Sequence, residues 1–501
     1  MKTLNFELIV IFLFVFVAGN IHAQSENFEN NKIDYYHPTF ETATYCDSIS
    51  LDSTIKAQMQ KNHIPGLASC IVKNNQIIWN RCYGYANIER ELLVNDSTAF
   101  LLASVTKTFT GTAVMQLWEQ GLLGVHDNIN GYLPPGVSVI NPYYSGDPIT
   151  FRMLLTHTSS IKYNYENSYR PLMTWGDDSP VSLDSFVVNY FTPDGIYYDS
   201  TNFNNRAPGT TFEYSNEAIS LLGYLISIIA DTSFFKYCED HIFNPLNMNH
   251  TAWFLSDMDT TNLSMPYYYQ SGTYYPIGYF AHPGYPSSLL KSCSSDLARY
   301  LMAYINKGEL NGVRILNSNT VSVMNTVHYP QIAPSQGLIW RLDYRGGSKI
   351  WYHGGKQYGT STRISYNPDE KFGVIILSNM DTSPNILDVI YDALYQYGLE
   401  CDPTGIEIAQ EQKPESFRLS QNYPNPFNPI TTIGYQLQEA SMIDLSIYNI
   451  LGQKVATPVS GKQPAGVYKA EWDASDYTTG VYYYRLSAGD YQQVKKMILI
   501  K

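Results

Sequence analysis

Strand-like runs stand near both ends of a long stretch whose middle reads as helix, and this order limits the fold more than any other feature. Residues 67–72 and 77–83 are short apolar runs joined through Asn74-Asn75, a pair that tolerates the positive φ of a tight hairpin. Near the other end, residues 362–366 and 373–377 flank the turn Asn367-Pro368-Asp369. Between them, helical spacing marks residues 105–119, closed by Gly121, and residues 219–229; another helix-like run covers 387–397. Tight turns make antiparallel pairs, so the simplest arrangement is α+β. It has an antiparallel sheet flanked by helices from the two ends, with a helical subdomain inserted in mid-chain. Residues 140–210 are rich in Tyr, Asn, Asp and Pro and read as a long irregular excursion.

A chain of 501 residues has room for more than one domain, and its texture changes at Cys401. Residues 401–415 are polar and carry Pro403 and Pro414, which suits a linker. Residues 416–501 lack cysteine and show short alternating strands, such as Ile443-Leu445-Ile447, as a small β-sandwich requires. At the other end, Lys2, the apolar run 8–18 and the small residue Ala23 form the layout of a secretory signal peptide over residues 1–23. That run is shorter than the roughly 20 residues that span a bilayer. Residues 24–45 then read as a polar leader, leaving 46–400 for the main domain. No transmembrane segment is expected in the mature chain.

The net charge is −13, and the 32 Lys and Arg form no dense run. Such a chain lacks the basic footprint that phosphate neutralisation needs, which argues against nucleic-acid binding. Six cysteines in an exported chain permit disulfides. Cys70 and Cys82 flank the first hairpin, but a register with Cys70 opposite Trp79 sends them to opposite faces, so no bridge between them is expected. No CxxC or HExxH pattern occurs, and neither a metal nor a cofactor is expected.

Ser-x-x-Lys occurs at Ser53, Ser104, Ser233 and Ser288, so the pattern alone decides nothing. Ser104 differs in standing at the start of a strong helical pattern, where Lys107 falls one turn later on the same face. A helix N-terminus also presents free N–H groups and a positive dipole end, suited to a developing oxyanion.

Three elements follow in order: Ala103-Ser104-Val105-Thr106-Lys107, then residues 208–216 with Tyr214-Ser215-Asn216, then His353-Gly354-Gly355 before the closing strands. Residues 149–160, 244–248 and 296–299 add further matches. Over about residues 46–400 this set resembles the serine β-lactamase and penicillin-binding-protein superfamily, in its class C-like branch with esterases and D-aminopeptidases. The resemblance implies a β-lactamase/transpeptidase-like fold and an acyl-enzyme on Ser104. Lys107 takes the serine proton, which an amine with a usual pKa near 10.4 can do only if burial disfavours its ammonium. Tyr214 relays that proton. Asn216, His353 and Gly355 contact substrate, Asn216 also holding Lys107, and Gly354 and Gly355 let an extended substrate approach. The backbone N–H groups of Ser104 and Lys356 form the oxyanion hole. His157 falls in a stretch that is structural in the family.

Two departures matter. The family's usual third motif is Lys-Thr-Gly; His353 replaces the lysine and, with a usual pKa near 6.5, is a weaker carboxylate partner at neutral pH. Ser160 stands where the family stretch has glycine. The implied substrates are therefore esters or D-residue-containing amides and peptides, including peptidoglycan-derived ones. The alternatives are a β-lactamase, a D,D-carboxypeptidase or a non-catalytic penicillin- or peptidoglycan-binding sensor.

The tail carries residues 419–429 (LSQNYPNPFNP), 447–453 (IYNILGQ), 480–486 (GVYYYRL) and the closing 496–501 (KMILIK). It resembles the type A sorting domain of type IX secretion. That implies passage through the periplasm, recognition by the type IX machinery, and a mature protein released or attached at the cell surface.

Overall fold

The computed structural model describes residues 48–382, 384–401, 417–422, 424–463, 466–489 and 491–501. The expected signal peptide, leader and linker lie outside these residues, apart from Cys401 itself, which is disulfide-bonded.

Helix α1 (Ser48–Lys61) leads into the first hairpin, β1 (Gly66–Lys73) and β2 (Gln76–Asn87), and then the short β3 (Leu92–Leu93). Asn74 and Asn75 both take positive φ, at 49° and 65°. Helices α2 (Thr106–Glu119), α3 (Asn216–Ile229) and α4 (Ser294–Ile305) fill the middle. Four late strands follow: β4 (Arg341–Arg345), β5 (Ser348–Gln357), β6 (Thr360–Asn367) and β7 (Phe372–Ser378), and then helix α5 (Pro384–Glu400). The seven strands make one sheet in the order β4-β5-β6-β7-β1-β2-β3. Early and late hairpins meet at its centre, where β1 pairs antiparallel with β7, Leu67 opposite Ser378 and Lys73 opposite Phe372.

The central strands are buried on both faces, which is why they read as continuous apolar runs rather than alternating ones. Leu67, Ile71, Val374 and Ile376 share a core with Ile55 of α1 and Leu387, Ile390 and Leu394 of α5. Ala68, Cys70, Val72, Ile375 and Leu377 face the other way, into the larger core built with α2, α3 and α4. Neighbouring Ile375 and Ile376 are both wholly buried. Each of Ile375→Ala and Ile376→Ala is expected to cost about 2–5 kcal/mol by chemical denaturation. A sheet with one solvated face would show that loss for only one of them.

The hairpin register differs from the expected one. An irregularity between Ile71 and Val72 puts Cys70 opposite Asn80 and Cys82 opposite Ala68. Cys70 and Cys82 therefore share a face as diagonal neighbours, a placement longer than a disulfide normally spans. Both thiols are free. The excursion 140–210 also differs: it contains the helix Leu183–Phe191, whose N-cap Ser182 accepts a bond from Ser185 N. Leu183, Phe186, Val187, Tyr190 and Phe191 form its buried stripe. Among the described residues no single helix is long and apolar enough to cross a membrane.

The tail is a β-sandwich. Strands β8 (Arg418–Leu419), β9 (Ile430–Leu437) and β12 (Gly466–Asp473) make one sheet. Strands β10 (Ser441–Tyr448), β11 (Lys454–Gln463), β13 (Gly480–Ala488) and β14 (Tyr491–Leu499) make the other, in the order β11-β10-β13-β14. Ile443, Leu445 and Ile447 from one sheet and Ile433, Tyr435 and Trp472 from the other share its core. The tyrosine run follows the pleat: Tyr482 and Tyr484 are buried, and Tyr483 is exposed.

Candidate active site

Ser104 lies in a 3-10 turn, Ala103–Val105, that feeds α2. Ala103 before it has φ of 48°, a left-handed conformation that costs an L-residue about 1–2 kcal/mol. Bonds from three directions hold the turn. Leu102 N donates to Leu290 O at 2.8 Å, Thr362 Oγ1 donates to Leu102 O at 2.7 Å, and Leu290 N donates to Thr106 Oγ1 at 3.2 Å.

Strand β5 presses against the same turn. A Cβ on Gly355 would come within 2.3 Å of both Leu102 O and Thr362 Oγ1. The approach of the serine turn is thus enough to require glycine at 355. Gly354 is the open position, where a Cβ would meet nothing nearer than 3.8 Å. Residues 353–357 run past the end of β4, whose pairing stops at Tyr352, and so keep β6 on one side only.

Lys107 is completely buried. Its Nζ lies 3.1 Å from Ser104 Oγ and 2.7 Å from Ser287 O, and 4.9 Å from the centre of the Tyr214 ring. Burial pushes its ammonium well below the usual lysine range, with nearby Glu217 opposing. Burial raises the Tyr214 phenol above its ordinary value, with the Ser104 hydroxyl and Arg341 pulling the other way. Burial therefore favours the neutral amine of Lys107 and the neutral phenol of Tyr214. An amine beside a half-exposed hydroxyl can accept its proton as the oxygen attacks a carbonyl.

The other Ser-x-x-Lys patterns do not bring oxygen and amine together. Lys56 pairs with Asp52, Lys236 with Asp240, and Lys291 Nζ donates to Trp253 O at 2.7 Å.

Asn216 is the first residue of α3, behind the N-cap Ser215. Its Oδ1 is buried with no partner among the described residues, while Lys107 is held by Ser287 O. Lys356 extends its side chain outward to Asp381 at 3.0 Å, and its backbone lies in the edge segment of β5. His353 is 3% exposed and bonds Gly354 O through Nδ1 at 2.8 Å. Burial, with Lys107 nearby, lowers its pKa to about 3 rather than the expected 6.5, so it is neutral at pH 6 as well as pH 8.

Several contributors have no motif signature. His157, at φ of 56°, packs on Tyr214 with ring centres 4.3 Å apart and planes tilted by 36°. Its Nδ1 accepts from Ser215 N at 3.3 Å and its carbonyl accepts from Glu213 N at 2.8 Å, so it positions the Tyr214 loop. Glu217 is buried and accepts from Asn164 N, Ser168 Oγ and Ser215 Oγ at 3.1, 2.7 and 3.1 Å. Ser160 keeps a glycine-like φ of 64°, and its Oγ accepts a bond from Asn141 at 2.9 Å. Among the described residues no group of His, Cys, Asp or Glu is placed to hold a metal ion.

The Beta-lactamase family profile matches residues 51–396. The chain belongs to the beta-lactamase family. Its fold is the β-lactamase/transpeptidase-like one, and the family is one of serine hydrolases. The tail matches the secretion system C-terminal sorting domain over residues 421–501, which indicates secretion or attachment at the cell surface. Protein flp of Staphylococcus aureus (strain MW2) is 26% identical over 340 residues, 66% of this chain. The match spans 63% of that relative's length. The octameric penicillin-binding protein homologue from Pyrococcus abyssi superposes with a TM-score of 0.57 at 21% identity, covering 90% of this beta-lactamase family chain and 100% of its own. EstCE1, a hydrolase with promiscuous acyltransferase activity, gives 0.54 at 21% identity, covering 69% and 99%.

Proposed function

We propose that this protein is a secreted serine hydrolase that forms an acyl-enzyme on Ser104 and acts on esters or on amides and peptides containing D-residues. The observation that carries the reading is the buried Lys107 amine 3.1 Å from Ser104 Oγ. Ser104 Oγ bonds to the substrate carbonyl carbon while its proton passes to Lys107. Collapse of the tetrahedral species breaks the bond to the leaving group, which takes the proton through Tyr214. Water then attacks the ester on Ser104 by the reverse proton path. The backbone N–H groups of Ser104 and Lys356 receive the oxyanion, Asn216 receives the substrate's polar group, and Gly354 leaves room beside it. A signal peptide over residues 1–23 and type IX export of the 416–501 tail bring the 46–400 hydrolase domain outside the cell.

The preference for simple esters and amides over β-lactams rests on His353. A lysine there would hold a charge for a carboxylate, whereas the buried imidazole stays neutral. One charge-assisted bond is worth about 1.5–3 kcal/mol, so carboxylate recognition is weaker by roughly ten- to a hundredfold. EstCE1, a hydrolase by its description, is compatible with this choice.

The test combines adduct mapping with a substrate panel. A fluorophosphonate should label the peptide containing Ser104, and p-nitrophenyl butyrate or a D-alanyl anilide should be turned over with higher kcat/KM than nitrocefin at pH 8. A preference for nitrocefin would restore β-lactamase as the better reading. Labelling without turnover of any substrate would indicate a sensor.

A further inference from the structure

On the hydrolase reading a substrate lies in a groove between two walls beside Ser104: the loop of Tyr214, whose phenol adjoins the Ser104 hydroxyl, and the edge segment of β5 with Lys356, whose Gly355 packs on the serine turn. Residues 162–168 belong to the first wall: Asn164 N and Ser168 Oγ both bond Glu217, and Lys162 O accepts from Ser215 Oγ at 3.3 Å, beside Tyr214. Tyr358 belongs to the second, directly after the end of β5 and two residues beyond Lys356. The two hydroxyls Tyr165 Oη and Tyr358 Oη lie 2.7 Å apart. That bond joins segments 193 residues apart in sequence. It ties the Tyr214 wall to the Lys356 wall.

The tie is built as part of an aromatic collar. Trp175 and Phe280 pack on the Tyr358 ring with centres 6.3 and 5.7 Å away, and on each other at 5.6 Å. Trp175 and Phe280 are themselves held as a strand pair. The Tyr163 ring lies tilted toward Tyr165 with centres 6.4 Å apart. Two residues of extended chain separate Lys356 from Tyr358, so the collar stands about 7 Å along the strand from the proposed oxyanion donor.

The two ends of the groove serve different parts of a substrate. The leaving group must depart and water must replace it, which needs an end open to solvent. The acyl part stays bonded to Ser104 until deacylation and is the part that can lie in a closed end. Resting on the hydrolase reading above, we propose that the Tyr165–Tyr358 strap closes the acyl end of the groove and restricts the enzyme to short acyl groups, acetyl to butyryl.

The experiment is the acyl-chain profile with one leaving group: kcat/KM for p-nitrophenyl acetate, butyrate and octanoate on wild type, Tyr358→Ala and Tyr165→Phe, with Ser104→Ala as blank. Wild type should prefer acetate over octanoate by about a hundredfold, since a few methylenes without room cost that much. Tyr358→Ala should reduce the ratio by about tenfold or more, mainly through faster octanoate turnover. Tyr165→Phe keeps the ring and the packing but loses the hydroxyl pair, and should shift the ratio in the same direction by a smaller factor. A flat wild-type profile, or the wild-type ratio in both active variants, overturns the strap while leaving the hydrolase reading intact. No Ser104-dependent turnover of any ester overturns both.

Discussion

Ser104→Ala is expected to lose ester hydrolysis by roughly 10⁴-fold or more, and all phosphonate labelling, because the proposed acyl bond forms on Ser104. The fold should be unaffected, since the change removes one half-exposed oxygen that meets the side chains of Lys107 and Tyr214. Ser53→Ala, Ser233→Ala and Ser288→Ala should each keep activity within a few-fold. Ser288 is the sharpest of these controls. Its Oγ lies 3.1 Å from His282 Nε2 and superficially resembles an activated pair. Yet His282 is buried, its pKa is lowered to about 3, and its Nδ1 has no partner among the described residues to orient or stabilise an imidazolium. Loss of activity in Ser288→Ala with retention in Ser104→Ala would transfer the nucleophile to Ser288 and defeat the assignment.

What could be read from the sequence, and what could not, divides along physical lines. The hairpins β1–β2 and β6–β7 announce themselves because turn residues and short apolar runs are local. Their meeting as β1–β7 at the sheet centre is not local: no spacing rule links Leu67 to Ser378. The irregularity at Ile71 left no residue signature and shifted Cys70 from Trp79 to Asn80. The helix Leu183–Phe191 did carry a signal, an N-cap serine and an apolar stripe, but it was short and framed by Asp, Ser, Pro and Gly that read as loop. At the site, Ser104, Lys107 and Tyr214 were legible as side chains in a recognisable order. The group that holds Lys107 was not, because Ser287 contributes a backbone carbonyl that any residue could supply. Gly355 was legible as a close approach, but only the structure shows that the approaching chain is the protein's own.

The second large effect concerns Lys107 and its pH signature. Lys107→Met and Tyr214→Phe should each lower kcat/KM by about 10²–10⁴. On the proposed single proton path, the double variant should lose far less than the product of the singles. Strictly multiplicative losses would mean separate paths. In wild type, the acid limb of the kcat/KM profile should belong to Lys107, since protonation removes the base. The nearby imidazoles do not supply it: His282 and His353 are lowered to about 3, and burial holds His157 well below 6.5. Lys107→Met should therefore flatten that limb in whatever activity remains. The same shift has a stability consequence with a definite sign. Between its lowered folded value and the usual 10.4, Lys107 is neutral when folded and protonated when unfolded, so folding releases a proton and stability rises with pH across that window. Methionine does not titrate. The melting temperature of Lys107→Met, taken relative to wild type, should accordingly be higher at pH 6 than at pH 9, the difference shrinking as the cost of burying the amine fades. A difference that is constant or grows with pH would mean that Lys107 stays charged in the folded protein, and the amine could not then serve as the base for Ser104.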